Sequence, residues 1–185
     1  KWVRTHNVEG DYYKALSKSS SSFWKSMYYR REARKLRRFE KILQEADAIF
    51  PISKKDVNYY YQFNSNCFWL KPFHPYQAAS ANSPTEQFAI YHGNLAVEEN
   101  EEAVCFLLEV FSPLEHRLII AGRKPSQKLR RAIAKNPKAE LVENPNEAEL
   151  QELIQKAKVH CLFTRQATGI KLKLLRALLE GNEVI

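Results

Sequence analysis

Short apolar runs alternate with amphipathic stretches through the second half of the chain. Five runs predict strands, at residues 88–91, 117–121, 139–142, 159–163 and 183–185. Between them, apolar residues recur at helical spacing, which predicts helices at 100–111, 127–135, 146–157 and 169–179. Strands that alternate with helices of this length are typical of a parallel sheet covered on both faces. We therefore predict a Rossmann-like, doubly wound α/β domain at residues 87–185.

Residues 1–70 predict a different segment ahead of this domain. Strands are expected at 1–5 and 48–52, and one long helix is expected between 23 and 46. The serine run at 18–22 predicts a turn before that helix. Ser53 and Asp56 fit a capping box that starts a short helix rich in tyrosine. Three prolines and little periodicity at 71–86 predict a linker.

Charge adds a second feature to the long helix. The chain of 185 residues has 29 Lys and Arg against 21 Asp and Glu, a net charge of +8 that favours anionic partners. Eight of these cations crowd one side of the helix: Lys25, Arg30, Arg31, Arg34, Lys35, Arg37, Arg38 and Lys41. The helix could lie on an anionic membrane surface, or Trp24 and Tyr28 could stack on bases. A basic module without catalysis is therefore an alternative, although the absence of a nucleic-acid motif argues against nucleic acid.

Several other classes are excluded. No apolar run approaches the roughly 20 residues that span a bilayer, and the first residues show no basic-then-apolar leader, so we expect neither a transmembrane helix nor a secretory signal. Cys67, Cys105 and Cys161 form no close pair, so we expect free thiols in a reducing compartment, the cytoplasm. The five histidines are not spaced as a helical metal site requires, so we expect no metal.

The carboxyl ends of the predicted strands form the candidate site, because ligands of open parallel sheets bind there. Four loops end strands at this edge, at 92–94, 122–124, 143–145 and 164–169. They and the helix that follows supply glycines, cations and free N–H groups suited to an anion: Gly93, Gly122, Arg123, Lys124, Thr168, Gly169, Lys171 and Lys173. Taken singly, each glycine is more simply a turn residue and each lysine a surface charge. No dinucleotide-binding or P-loop fingerprint is present.

These residues resemble a known family. The segment 168–185, TGIKLKLLRALLEGNEVI, resembles the signature of retaining glycosyltransferases of the GT-B fold, family 4: a tight turn into a helix, then glycine and a strand. Residues 119–122 resemble the second strand of that family's donor domain, 92–95 its opening loop and 146–159 one of its helices. Residues 4–13 resemble the end of its acceptor-side domain, to which 1–70 would belong.

The resemblance implies an activity and roles for individual residues. A sugar would pass from a nucleotide-diphosphate donor to a glycan or lipid-linked acceptor, with retained anomeric configuration and without a metal or other cofactor. Thr168 and Gly169 would offer N–H groups to the diphosphate, with charge from Arg123 and Lys173. Residues near Asn144 would face the base. His6 would lie across the cleft against the sugar as a catalytic residue, or be an ordinary polar residue at a strand end.

The sequence departs from the family at two places. The family has two glutamates where this chain has Thr168 and Arg176, and a guanidinium cannot accept hydrogen bonds from ribose hydroxyls. Four glutamates follow Gly93 and would repel a diphosphate: Glu98, Glu99, Glu101 and Glu102. The resemblance also implies a hexosyltransferase about twice this length, in the cytoplasm or peripheral at the inner face of the cell membrane. The chain alone would then be nearly inactive.

Overall fold

The computed structural model describes residues 1–20, 22–75, 86–164 and 171–185. Its described residues form two compact units. Unit 1 comprises residues 1–73, and unit 2 comprises residues 74–164 and 171–185. Each unit is described by itself. None of the described helices combines the length and the apolar character that crossing a bilayer requires.

Unit 1 is a small parallel strand pair with helices. Its elements are β1 (Trp2–Thr5), α1 (Glu9–Ser19), α2 (Phe23–Phe39), a 3-10 helix (Glu40–Glu45), β2 (Ala48–Pro51) and α3 (Lys54–Tyr61). β1 and β2 pair in parallel, with Trp2 opposite Ala48. Both predicted strands and the tyrosine-rich helix are confirmed. The long helix is shorter than predicted, because its last six residues tighten into the 3-10 helix, and the Ser53 side chain makes no capping bond.

α1 was not predicted from the sequence, and its packing on α2 gives the reason. A Cβ atom added to Gly10 would lie 2.5 Å from Cγ of Arg37, so the Arg37 side chain lies directly on the α1 backbone. Ala33 is buried on the same face of α2. Val8, Ile49, Tyr60 and Cys67 form the core of the unit beside these helices. Small residues at the crossing therefore hold the two helices together.

Unit 2 is the predicted α/β domain. Its strands are β3 (Phe88–Asn94), β4 (Arg117–Arg123), β5 (Ala139–Glu143), β6 (Val159–His160) and β7 (Glu183–Val184). Its helices are α4 (Glu98–Phe111), α5 (Gln127–Ala134), α6 (Glu147–Lys156) and α7 (Leu172–Glu180). The sheet order is β5-β4-β3-β6-β7, and every neighbouring pair is parallel. The α/β class and the alternation of strands and helices are confirmed.

Apolar residues cover both faces of this sheet. On one face Tyr91, Leu118 and Ile120 pack with Val104 of α4 and Leu129 of α5. On the other face Phe88, Ile90 and Ile119 pack against the α6 side, where Leu150, Leu153 and Ala157 lie. This is the doubly wound arrangement, in which alternate residues of each strand enter opposite cores.

Two strands are longer than predicted by two or more residues, and one is shorter by three. β3 continues to Asn94 and β4 continues to Arg123, so Gly93, Gly122 and Arg123 lie in strands rather than in loops. β6 is reduced to Val159 and His160. The carboxyl edge of the sheet is therefore formed by the last residues of β3 and β4 and by the turns that follow them.

Candidate functional site

Lys173 is fixed at the end of the central strand. The Tyr91 side chain, fully buried on β3, donates its hydroxyl hydrogen to Oδ1 of Asn100, at 2.8 Å. Nζ of Lys173 lies 3.1 Å from the Tyr91 hydroxyl oxygen and 3.2 Å from the same Asn100 Oδ1, and it donates to both. The ammonium also lies 4.6 Å from the centroid of the Tyr91 ring. A polar strand residue and a polar helix residue thus hold one cation in place.

The turn between β3 and α4 belongs to the same network. Nδ2 of Asn100 donates to the carbonyl oxygen of Asn94 at 2.9 Å, and the Asn100 amide N–H donates to the carbonyl of Val97, also at 2.9 Å. Burial lowers the pKa of Lys173, Lys171 nearby lowers it further, and Glu99 opposes both effects. Lys173 is therefore a partly desolvated cation whose position depends on the turn.

Lys171 has an acidic partner. Its Nζ lies 3.2 Å from one carboxylate oxygen of Glu99 and 3.4 Å from the other. The Thr164 hydroxyl donates to the same carboxylate. Glu99 is one of the four glutamates expected to repel a diphosphate, and the structure places it against a cation of the candidate site. The local charge from these two lysines and Glu99 is accordingly positive by one unit.

Arg123, Lys124 and Asn144 lie at the ends of β4 and β5. Lys124 and Asn144 both have positive φ, 54° and 52°, a backbone conformation that non-glycine residues rarely adopt. Each stabilises the other turn: the Lys124 amide donates to Oδ1 of Asn144 at 3.2 Å, and the Asn144 amide donates to the Gly122 carbonyl at 2.8 Å. The Arg123 side chain is exposed at this edge. The two turns form one strained, hydrogen-bonded corner.

The close contact between β3 and β4 accounts for the glycine at position 122, and no ligand is needed to explain it. Gly93 and Gly122 are register partners on β3 and β4. A Cβ atom on Gly122 would lie 2.2 Å from the Gly93 carbonyl oxygen and 2.7 Å from Cγ of Leu95. A Cβ atom on Gly93 would meet nothing nearer than 3.5 Å, at the Asn100 amide. Gly122 is thus required by the contact between strands, whereas Gly93 leaves ordinary space next to Asn100.

The structure brings most of the predicted donor-binding residues to one edge of one sheet. Lys171 and Lys173 lie beside the end of β3, and Gly93, Arg123, Lys124 and Asn144 lie at the ends of β3, β4 and β5. Asn94 links the two groups, because it is the register partner of Arg123 and its carbonyl holds Asn100. Thr168 and Gly169 lie outside the described residues. His6 is an exposed residue of unit 1, directly after β1.

Sequence reasoning missed the contacts of Tyr91 and Asn100 with Lys173, and the pairing of Glu99 with Lys171. One signal was available, since Tyr91 is a polar-tipped residue inside an apolar strand and such hydroxyls find partners when buried. The partners themselves carry no sequence signal. Lys173 is 82 residues from Tyr91 and 73 from Asn100, and only the parallel crossover places them together.

Arg176, which stands where the family has a ribose-binding glutamate, is buried in unit 2. Its Nε donates to Glu180 at 2.8 Å, one turn along α7. Its guanidinium also pairs with Glu147, the first residue of α6, at 2.6 Å. The side chain therefore connects α7 to the start of α6.

Two buried histidines lie on the sheet next to this arginine. His92 of β3 and His160 of β6 are 4% and 0% exposed. Burial lowers the pKa of His92 to about 3, with smaller contributions from His160, Arg176 and Lys173. Burial also lowers the pKa of His160. Both rings are accordingly neutral at pH 7. Within the described residues, no cluster of His, Cys, Asp and Glu is arranged to hold a metal ion.

A groove of about 720 Å³ lies elsewhere in unit 2, between α4 and α5. Cys105 and Glu109 of α4 and Lys128 and Arg131 of α5 line it, together with Pro137 before β5. It opens toward the amino end of β5, and none of the predicted site residues lines it. We therefore assign the candidate site to the carboxyl edge, where the predicted residues converge.

The doubly wound parallel sheet of unit 2 is a Rossmann-like fold. No protein-family model and no curated sequence matches the chain. Solved structures do. TarM of S. aureus, in complex with UDP and other ligands, superposes with a TM-score of 0.65 at 13% identity. The pneumococcal O-GlcNAc transferase GtfA, in complex with UDP and GlcNAc, gives 0.60 at 15%. AviGT4, a glycosyltransferase of avilamycin A biosynthesis, gives 0.51 at 14%.

These matches cover most of this chain but smaller parts of the three solved structures. They cover 81%, 78% and 80% of this chain, in the same order, but only 32%, 31% and 58% of the three structures. The chain therefore has the fold of GT-B glycosyltransferases and spans about a third of TarM and GtfA. At this level of identity the likeness defines the fold, and activity has to be argued from the site.

Proposed function

We propose that this chain is the donor-binding part of a retaining, metal-independent glycosyltransferase that uses a nucleotide-diphosphate sugar. The observation that carries the proposal is the position of Lys173, held by Tyr91 and Asn100 at the carboxyl edge of a GT-B-type sheet. The family-like segment that contains Lys173, and the complexes of TarM and GtfA with UDP, point to the same ligand class.

Lys173 is suited to a phosphate oxygen. An ammonium group carries three N–H donors, and two of them are used by Tyr91 and Asn100. The third serves the diphosphate, and Arg123, on the neighbouring strand, adds a second cation. Negative charge grows on the departing diphosphate in the transition state, and fixed cations stabilise that charge without reorganisation. Thr168 and Gly169 would add N–H donors, and Asn144 would face the base.

Glu99 has a definite consequence for this site. A diphosphate next to Lys171 has to displace or tolerate the Glu99 carboxylate, which now lies 3.2 Å from Nζ. Glu99 therefore weakens donor binding by charge competition, while it holds Lys171 and Thr164 in place when no donor is bound. The acceptor is a glycan or a lipid-linked saccharide, reached in the cytoplasm, with His6 on the acceptor side.

The test is nucleotide binding by the full 185-residue chain. Calorimetry and thermal unfolding with UDP, GDP and ADP should identify one preferred base. A ligand with a Kd of about 0.1 mM, present at about 10 mM, stabilises the fold by roughly 2.7 kcal/mol. Lys173→Ala should weaken binding about tenfold or more, as expected for loss of a charged hydrogen bond. Glu99→Gln should strengthen it.

Lys135→Ala is the matched control, because Lys135 is an exposed lysine at the end of α5, opposite the helix start that faces the carboxyl edge. It should leave nucleotide affinity unchanged. The proposal is wrong if none of the three nucleotides stabilises the chain, or if Lys173→Ala and Lys135→Ala bind equally well. In the full-length protein, Lys173→Ala should lower the rate of sugar transfer in proportion to the loss of donor binding and transition-state stabilisation.

A further inference from the structure

The positive charge of the chain is concentrated in one helical hairpin. Of the 29 basic residues nine lie between residues 12 and 39, and of the 21 acidic residues only Glu32 does. The net charge of +8 therefore belongs to this segment, and the remainder of the chain is neutral overall. The segment includes most of α1 and all of α2, both in unit 1. Charge of one sign at one place indicates a specific anionic surface as partner.

The exposed face of α2 combines these cations with aromatic rings. Ala33 marks the buried face, and at about 100° per residue the opposite side carries positions 24, 28, 31, 35 and 39 within about 60° of one line. Trp24, Tyr28 and Phe39 are 72%, 55% and 68% exposed. Arg31 is exposed between them, and the Lys35 side chain is 71% exposed. We call this face the α2 stripe.

A cationic groove runs beside the stripe. It lies between α1 and α2, has a volume of about 390 Å³ and is lined by Lys14, Lys18, Arg30, Arg34 and Arg37 among others. Arg37 is paired with Asp11 at 2.5 Å, whereas Arg30 and Arg34 are exposed. Guanidinium groups bind phosphate through two parallel hydrogen bonds, so the groove suits a phosphate-bearing headgroup.

We propose that the α1–α2 hairpin docks on an anionic lipid bilayer, with the α2 stripe against the membrane and the groove receiving lipid phosphates. Aromatic rings and long cationic side chains on one helix face are the pattern of helices that lie in the membrane interface. Trp24 and Tyr28 would sit at the level of the headgroups, and Phe39 would reach the acyl boundary. Nucleic acid is a less suitable partner for two reasons. Phe39, at the far end of the stripe, is stabilised by contact with lipid hydrocarbon. The aromatic rings of the stripe also alternate with cations and do not line a channel. The proposal does not depend on the donor site.

Co-sedimentation with vesicles tests the proposal on the full chain. Vesicles of phosphatidylcholine with about 30% phosphatidylglycerol should sediment the chain, and phosphatidylcholine alone should not. Each cation near an anionic surface contributes to binding, so the double variant R31E/K35E should bind about tenfold more weakly or worse. Its control is K128E/K135E, which changes the net charge equally through exposed lysines at the other unit. Trp24→Ala should also weaken binding, and Tyr61→Ala, an exposed aromatic of α3, should not.

The outcomes separate this proposal from its rivals. Equal sedimentation with both vesicle types, or equal loss in R31E/K35E and K128E/K135E, would overturn it. So would tight binding of single-stranded DNA without vesicle binding, which would make the hairpin a nucleic-acid surface. The proposal would also be overturned if the chain did not bind vesicles but formed a dimer that R31E/K35E dissociates. The stripe would then be the contact surface for a second copy of the chain. Nucleotide binding by unit 2 should be the same in all these variants.

Discussion

Lys173 and Arg176 lie three residues apart on α7, yet their side chains have different surroundings. Lys173 contacts Tyr91 and Asn100 at the end of β3, and Arg176 pairs with Glu147 and Glu180. Lys173 has neutral hydrogen-bond partners, whereas Arg176 is matched by two carboxylates. At the residue scale, the type of partner distinguishes a candidate binding group from a structural one.

The buried histidines give the fold a pH dependence. Because His92 has a pKa of about 3 in the folded chain and about 6.5 when unfolded, the unfolded state binds more protons between these values. Stability is thus complete above about pH 6.5 and is lost as the pH falls toward 3, by up to about 1.4 kcal/mol per pH unit for one histidine. His160, whose pKa is lowered as well, acts in the same direction.

We expect His92→Gln to flatten this acid dependence, measured as the free energy of unfolding in urea between pH 7 and pH 4.5. The test compares the slopes of the free energy of unfolding against pH, because the substitution also changes packing and therefore the absolute free energy. His116→Gln replaces an exposed histidine and should keep the slope of the parent chain. An unchanged slope in His92→Gln would mean that His92 titrates alike in both states.

The sequence predicted where the site residues lie but not how they are connected. Lys171, Lys173, Arg123 and Asn144 follow from the rule that parallel strands present their carboxyl ends at one edge. The contacts of Lys173 with Tyr91 and Asn100, and of Lys171 with Glu99, join residues more than 70 positions apart, for which a single sequence has no pattern. Gly122 was expected either to admit a ligand or, taken singly, to be a turn residue; it lies within β4, where the close contact with β3 requires glycine.

At the scale of elements, the same short motif gave two different results. Asn146 and Glu149 form a complete capping box at the start of α6: Oδ1 of Asn146 accepts from the Glu149 amide at 3.0 Å, and Glu149 accepts from the Asn146 amide at 2.8 Å. Ser53, predicted to cap α3 in the same way, makes no side-chain bond to the helix. The motif predicts where a helix begins, and the local backbone conformation decides whether the side chain forms the capping hydrogen bond.

This contrast makes a prediction about stability. Asn146→Ala should lower the free energy of unfolding by about 1 kcal/mol, because the Glu149 amide at the start of α6 loses its side-chain acceptor. Ser53→Ala should change it by less than about 0.5 kcal/mol. Chemical denaturation of both variants checks this. Equal losses would contradict the assignment of the cap to Asn146 alone.

The missed helix has a physical reason as well. α1 carries Gly10 and polar residues, which lower helix propensity, so its stripe is weak in the sequence. Gly10 is needed because the Arg37 side chain occupies the position of a Cβ atom. Tertiary packing therefore decides the state of α1. By contrast, α4, α5 and α6 carry regular buried stripes and could be predicted closely.

At the scale of the whole molecule, each unit carries its own buried thiol. Cys67 lies in the core of unit 1 and Cys161 in a core of unit 2. Burial raises the pKa of both thiols, that of Cys161 to about 11. Cys105 is partly exposed, and burial with nearby glutamates also raises its pKa. Since the thiolate is the reactive form, all three should react slowly in the folded chain.

We expect thiol labelling to report the opening of each unit separately. In a Cys105→Ser background at pH 7.5, both remaining thiols should react more than about a hundredfold more slowly than in the unfolded chain. Mass analysis after digestion would distinguish Cys67 from Cys161 at increasing urea. Labelling of either cysteine at the unfolded rate without urea would show that its core is open.

The pairing of Arg176 with Glu147 and Glu180 constrains how this protein can evolve. Arg176→Glu would bring three carboxylates together around a buried position of α7 and destabilise the fold by like-charge repulsion. A glutamate at this position would be tolerated only after at least one of the two acidic neighbours had changed. A single mutational step from arginine to glutamate is therefore closed, and descendants are expected to inherit Arg176 together with its two acids.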